Sequence, residues 1–595
     1  MKKTLRLLSI LLILSLLLGS ATVASAAPKK PFFTLTILHN NDGESRLINA
    51  GDGPLADFGG VARFATVVDN LRAQALNSDR KVGVILLSSG DNFLAGPQFN
   101  ASLTKGAPYY DTIAMSLIGY DASAIGNHEF DFGPDVLAEF IGGFNGTTPF
   151  VSANLDFSAE PNLQALVDDG VIVKSHILKQ EGQLIGIVGA TTPLLPAISS
   201  PRGVTVDPDY VTAIQTEVDA LTAQKVKIII VISHLQNVNE DLALAPMLSG
   251  VDVMIAGGGD ELLANPGNLL VPGDVLNPNL PYPLYATGAD GAEVPVVTTA
   301  GDYKYVGRLV TNFDKDGQVI SVDSISGPVR VAGGTNPDAV LPDPDVQVQV
   351  VAPVQAYVAG LAANVIATSE VPLEGRRAPG FAPWKPTSGN LMADALLWQA
   401  NQLAGDFGVA PADVGIQNGG GIRNNSLIPA GPITELNTFQ IAAFTNFVSI
   451  VHNIPPAQFK EIMENAVSKA PQADGRFAQI AGFTLVYNTS GTAQVVDNAG
   501  NVLTPGTRVV EIRLDNGTYI VQSGAVVPCA PSVNISTNDF SARGGDQYPF
   551  RGVPFTTLGV TYQQALFNYI VDALNGLISA ADYPAGGEGR IIVVP

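Results

Sequence analysis

Ala122-Ser123-Ala124-Ile125-Gly126-Asn127-His128-Glu129-Phe130-Asp131 is a short apolar run that breaks into a polar turn. The run predicts a strand. The turn then lies at the strand's C-terminal end, where layered α/β proteins collect functional groups. Three other stretches repeat the pattern. Leu35-Thr36-Ile37-Leu38 leads to Asn41-Asp42-Gly43-Glu44, residues 81–87 lead to Ser88-Ser89-Gly90-Asp91-Asn92, and residues 226–232 lead to His234. Four strand ends in succession are expected to deliver carboxylates, a carboxamide and imidazoles to one edge of one sheet.

Around these turns, residues 32 to about 325 alternate strand-like and helix-like segments. Strands are expected at 34–38, 82–87, 184–189, 226–232 and 251–255, and helices at 61–75, near 107–118 and at 211–223. Such alternation implies a layered α/β domain. Residues 307–313 and 319–322 read as a closing hairpin around Asp314-Lys315-Asp316-Gly317. Residues 333–345 are rich in Gly, Pro, Asn and Asp and mark a boundary. Residues 346–369 have a helical pattern that bridges to a second domain with its own helix at 389–404 and a Gly-rich turn at 418–421. The expected division is a leader at 1–26, a first domain at 32–330, a linker at 331–368 and a second domain at 369–595.

The 595 residues exceed one average domain, and 46% hydrophobic against 14% charged content suits a packed globular protein. Lys2, Lys3 and Arg6, an apolar core over 7–18 and Ala24-Ser25-Ala26 make a secretory leader, cleaved near Ala26. Its core is too short for a stable spanning helix. No second apolar run of spanning length is expected, so the mature chain is expected to be soluble, without a membrane anchor, and secreted or periplasmic. Cleavage removes those three positive charges and no acid. It leaves 29 basic against 54 acidic residues and moves the net charge from −22 to −25. A polyanion partner such as nucleic acid needs a basic surface, which this chain lacks. The single cysteine, Cys529, excludes a disulfide framework and is expected to be a buried or partly buried side chain.

The four turns carry metal chemistry. The Asp91 carboxylate can neutralise two dications at once. Asn127 offers a carbonyl oxygen, His234 an imidazole nitrogen, and Asp42 and Glu44 hard oxygens. Two metals about 3.5–4 Å apart clamp a phosphoryl oxygen and activate a water. His128 adjoins Asn127 and is placed to meet the transferring phosphate or its leaving oxygen. Asp131, three residues on, can hold the other ring nitrogen and keep the imidazole protonated. His39, His176 and His452 are read as structural.

In order and spacing, Leu38-His39-Asn40-Asn41-Asp42, Gly90-Asp91-Asn92, the Gly126–Asp131 hexapeptide and Ile232-Ser233-His234 resemble the metallophosphoesterase domain of the secreted 5'-nucleotidase family. The second half is similar to that family's C-terminal nucleotide-binding domain. Gly389-Asn390-Leu391-Met392-Ala393-Asp394 matches its helix-opening motif, and Asn418-Gly419-Gly420-Gly421-Ile422-Arg423 matches its Gly-rich loop. Phe444-Thr445-Asn446 and the segment from Phe540 to Asp546 match those that supply two stacking aromatics and a ribose-binding carboxylate. The resemblance implies a four-layer-type α/β sandwich followed by an α+β substrate-binding domain. It also implies two divalent ions (Mn, Mg, Ca or Zn) and a nucleotide or other phosphomonoester substrate. Asn418 and Arg423 would contact substrate, Phe444 and Phe540 would sandwich the base, and Asp546 would hold the ribose. A family arginine corresponds to Arg376 or Arg377, beside an apparent insertion at 378–386. The implied reaction is attack of a metal-activated hydroxide on phosphorus. Within the same class the residues leave open a broad-specificity alkaline phosphatase or a cyclic-nucleotide phosphodiesterase. They also leave open an exported nucleotide-binding protein without catalysis.

Two departures stand out. The family usually carries Asp-x-His at the first turn, where this chain has Asp42-Gly43-Glu44. It usually carries Gly-His-x-His after the strand at 251–255, where this chain has Ala256-Gly257-Gly258-Gly259-Asp260-Glu261. By spacing the two histidines fall on Gly258 and Asp260. Asp260 is therefore a candidate ligand, with water or Glu261 as replacement for the one that disappears. A more oxygen-rich site favours harder ions over Zn²⁺.

Overall fold

The computed structural model describes residues 30–77, 81–376, 387–444, 446–497 and 499–594. The leader, Arg377 and the apparent insertion lie outside them.

Two sheets face each other in the first half. One has the order Val319–Val322, Tyr305–Phe313, Phe33–Asn40, Val82–Ser88, Ala122–Ala124, Phe150–Val151, Ile172–Val173. The other runs Leu284–Thr287, Glu293–Val297, Val253–Gly257, Ile228–His234, Gln183–Thr191, Ser175–Gln180. The strands Phe33–Asn40, Val82–Ser88 and Ala122–Ala124 run parallel to one another, and Ile228–His234 runs parallel to both its neighbours, with Asn40 opposite Ser88 in one sheet and His234 opposite Gly257 in the other. They are buried on both faces, which is why they read as unbroken apolar runs. Ile37, Ile85, Ile187, Ile230, Ile232 and Ile255 fill the layer between the sheets. Helices close the outer faces: Val61–Leu76 and Tyr110–Ile118 bury Phe64, Val68, Leu71 and Met115 against the first sheet. Tyr210–Ala223 buries Ile214, Val218 and Leu221 against the second. The result is helix, sheet, sheet, helix: four layers, as the resemblance implied.

The expectation of a single sheet edge is corrected here. Three of the turns end strands of one sheet, whereas His234 ends a strand of the other. The two C-terminal edges meet because glycine lines the seam. A Cβ on Gly90 (φ +90) would lie 2.7 Å from the Gly126 nitrogen and 3.0 Å from His234 Nδ1. One on Gly257 would lie 2.5 Å from the Ser89 carbonyl.

In the second half a five-stranded sheet has the order Ala478–Ala481, Val414–Asn418, Val533–Asn538, Phe447–Ile454, Phe555–Thr561. Helix Thr387–Leu403 packs Leu391, Met392 and Leu396 against it. The bridging helix runs Pro344–Ala363 and stops before the expected end at 369. Asn364 leaves the helical region, and Val365–Ser369, rich in β-branched residues, pairs with Gly431–Thr434 as a strand. The helix widens into a π-turn over Gln347–Val351, just ahead of Pro353, which has no N–H to donate. It also amends the expectation that no second run is long enough to span. By length and composition alone this helix could cross a membrane; here Val346, Val350 and Val354 join the first-half core. Cys529, expected to be at least partly buried, is exposed at a turn (φ 62) where no core element covers it.

Candidate functional site

The polar turns reverse sharply, and Asp42 (φ 49), Glu44 (φ 49) and Asp91 (φ 52) adopt left-handed backbone to do so. Such residues cost roughly 1–3 kcal/mol each and persist where the surroundings hold them. They bring Asp42, Asp91 and His234 together: one ligating atom from each lies within 4.8 Å of the others, and all three side chains are buried. Asp91 Oδ2 is 3.0 Å from His234 Nε2. His234 Nδ1 meets the Ser89 carbonyl at 2.7 Å, which fixes that nitrogen as the donor and turns Nε2 to the cluster. Asn127 Oδ1 joins at 3.2 Å from His234 Nε2. Burial pushes the Asp42 carboxyl well above its ordinary value; His234 opposes this, and the Asp91 and Glu44 charges reinforce it. Burial likewise lifts Glu44 to about 7. Carboxylates gathered out of water call for a positive counter-charge, so the donor set fits a divalent cation.

His128 stands at the rim. Its Nδ1 is 2.6 Å from Asp131 Oδ2, and its Nε2 is 3.9 Å from Asp91 Oδ2. Ser199 Oγ donates to Asp131 Oδ1 at 2.8 Å and fixes that carboxylate. Burial works against the His128 cation, yet the Asp131 and Asp91 carboxylates outweigh it and hold the imidazole well above its usual range. The side chain keeps 21% of its surface open, enough to reach a ligand.

A cleft of about 620 Å³ opens beside this cluster, and both halves of the chain line it; Asn418, Phe444, Phe540 and Asp546 are not among its walls. Glu44, Asp260 and Asp302 come from the first half, and Arg423, Phe439 and Gln440 from the second. The Arg423 guanidinium lies over the Phe444 ring at 5.4 Å. Asn418 Nδ2 donates to Asp546 Oδ2 at 2.6 Å, and Asn538 Nδ2 donates to Asn418 Oδ1 at 2.9 Å. Asn446 Nδ2 donates to Asp539 at 3.2 Å. The Phe540 ring lies so close over Gly545 that a Cβ there would clash with it. Arg543 donates to Ser200 Oγ at 2.9 Å, a direct bond between the halves.

Comparison with known proteins places this architecture. The family profile described as "5'-nucleotidase, C-terminal domain" matches residues 365–551. The 5'-nucleotidase of Rattus norvegicus is 30% identical over 489 residues, covering 80% of this chain and 79% of the rat protein. The chain belongs to the 5'-nucleotidase family. The crystal structure of the 5'-nucleotidase precursor from Thermus thermophilus superimposes with a TM-score of 0.69 at 30% identity, covering 94% of this chain and 99% of that one. The trifunctional nucleotide phosphoesterase protein YfkN of Bacillus subtilis is 27% identical over 88% of this chain, which spans only 32% of that longer protein.

Against the pattern of the 5'-nucleotidase family, the departures have definite places. Asp260 is exposed on the cleft wall with Glu44, outside the tight group of Asp42, Asp91 and His234. Glu261 turns back over Gly259 toward the Val238 amide. Three residues that sequence reasoning passed over also act here. Buried Glu129 accepts from the backbone N–H of Asp91 (2.9 Å), Asn92 (2.7 Å) and Gly126 (2.7 Å), tying two of the turns together. Asn41 Nδ2 donates to Asp42 Oδ2 at 2.6 Å. Gln236 donates to Asn127 Oδ1 at 2.6 Å. Polar residues inside a motif or beside a ligand were the only signal for them. His39 is buried, with Nε2 2.8 Å from the Tyr282 hydroxyl, and His452 bonds Thr556 at 3.1 Å; both are structural.

Proposed function

We propose that this chain is an exported, metal-dependent phosphohydrolase that removes phosphate from 5'-nucleotides. What supports the reading is the shared cleft: Glu44 and Asp260, beside the metal-competent cluster, and Arg423 of the second half face one space of about 620 Å³, and the Arg423 guanidinium packs on the Phe444 ring behind it. The names of its relatives agree with it. Asp42, Glu44, Asp91, Asn127 and His234 would hold two divalent cations, with Asp260 at the cleft side. Bound there, the cations polarise phosphoryl oxygens and lower the pKa of a water. The chain's own groups do the rest. His128, kept cationic by Asp131, donates a hydrogen bond from Nε2 to the phosphoryl group or its leaving oxygen. Arg423 neutralises phosphate charge. Phe444 and Phe540 stack on the base, worth about 1–3 kcal/mol, and Asp546 accepts from ribose hydroxyls. The oxygen-rich donor set favours Mn²⁺, Mg²⁺ or Ca²⁺ over Zn²⁺.

Catalysis is assigned to residues 32–330, substrate binding to 369–595, and the bridging helix to the linker between them. Phosphate release from AMP, titrated with each of the four ions, tests the reading. The His128→Ala variant is expected to lose about 10²-fold or more in kcat; full activity in that variant would overturn the mechanism. The leader reading predicts an exported chain that begins at Ala27, which N-terminal sequencing checks; an intact Met1 on the exported protein would refute it.

A further inference from the structure

The imidazole that the family places at the position of Gly258 has no room here. A Cβ on Gly258 (φ +85) would lie 2.8 Å from the Gln236 nitrogen, 2.9 Å from its Cα and 3.0 Å from His234 Nε2. Gln236 itself fills this corner. It sits two residues beyond His234 at φ 102, a conformation that a side-chain-bearing residue rarely adopts. That backbone turns its carboxamide inward onto Asn127.

The consequence is an unbroken chain of four donor side chains. Gln236 Nε2 is 2.6 Å from Asn127 Oδ1, which is 3.2 Å from His234 Nε2, which is 3.0 Å from Asp91 Oδ2. Ligands held at ~2.1 Å from one cation, at angles of roughly 90–110°, stand about 3–3.4 Å from each other. The observed spacing is close to that. Without a cation, two carboxamides meet as N–H to oxygen. With a cation between them, both must offer oxygen, and a half-turn of the Gln236 amide exchanges its two ends in place.

We propose that Gln236 is a metal ligand: its Oε1 completes the set of Asp91, Asn127 and His234, in place of the missing imidazole. This rests on the metal-dependent reading above. It replaces a nitrogen donor with a neutral oxygen, so the ion held here is a harder one than an imidazole-rich site would select.

Calorimetric titration of the metal-stripped protein (residues 27–595) with Mn²⁺ tests it, on wild type, Gln236→Gly and Gln236→Glu. Glycine suits φ 102, so the first variant removes the side chain without disturbing the turn. Wild type is expected to take up two ions. Gln236→Gly is expected to weaken one of them about 10-fold or more. Gln236→Glu, which retains an oxygen donor and adds charge, is expected to bind at least as tightly as wild type. Unchanged affinity in Gln236→Gly would overturn the proposal. So would a Gln236→Glu variant as weak as Gln236→Gly, because Gln236 would then act only as an N–H donor to Asn127. Wild type that takes up no ion would instead overturn the metal-dependent reading itself.

Discussion

Glu129 shows how much a single side chain settles at this site. It is fully buried beside Asp91, and it accepts from three backbone N–H groups and from Asn92 Nδ2 at 3.0 Å. Both oxygens are therefore needed as acceptors. Glu129→Gln keeps the size but places an NH₂ against backbone donors. The expected cost is about 1–3 kcal/mol of stability, together with loosened placement of Asp91. Denaturant unfolding checks the first part, and a variant as stable as wild type would contradict it. The hexapeptide around Glu129 was legible as a functional turn. The role of this glutamate was not, because it depends on which amides of a separate turn face inward. Gln236 escaped for a related reason: the sequence shows that Gly258 lacks an imidazole, but not the backbone angle at Gln236 that turns its carboxamide toward the gap.

At the level of elements, the helices Pro97–Lys105 and Tyr110–Ile118 are joined by a polar contact inside the core. Ser102 Oγ donates to Asp111 Oδ2 at 2.9 Å and accepts from the Tyr110 amide at 3.0 Å. Asp111 is fully buried, and the Ser45 hydroxyl and the Asp111 backbone amide also face the carboxyl. Burial raises its carboxyl to about 6, although hydrogen bonds oppose this. The folded state therefore holds the proton more tightly than the unfolded chain, whose value is 3.8. The associated stability is present below pH 3.8 and is lost as pH rises through about 6, by roughly 3 kcal/mol at most. Asp111→Asn is expected to remove this pH dependence. Urea unfolding of both proteins at about pH 3 and about pH 7, on either side of the titration, checks it; parallel pH profiles would refute it. Strands such as Ile228–His234 and Val82–Ser88 were legible because burial on both faces leaves an unbroken apolar run. Sheet membership was not, since parallel partners are chosen across long stretches of chain. Residues 365–369 misled for another reason: their helical continuity with the preceding segment hid a strand whose partner, Gly431–Thr434, lies far along the chain.

For the whole molecule, the acidic cluster makes folding and ion binding one problem. Asp42 and Asp91 are buried together with Glu44 at the cleft edge, and a cation held by them would bind only the folded chain, where these side chains meet. Chelation is expected to lower the Tm, and Mn²⁺ to restore it, with stabilisation of about 2.7 kcal/mol when the ion stands at about 100 times its Kd. A Tm indifferent to chelator would count against any ion at this place. The seam between the sheets has a wider consequence. Asp42, Asp91 and Asn127 follow strands of one sheet, while His234 and Gln236 follow a strand of the other, so the apolar layer between the sheets works as a caliper. Its thickness, set by residues such as Ile37, Ile232 and Ile255, fixes the aperture in which an ion would sit. Tuning that aperture is thus open to mutations that never touch a charged atom.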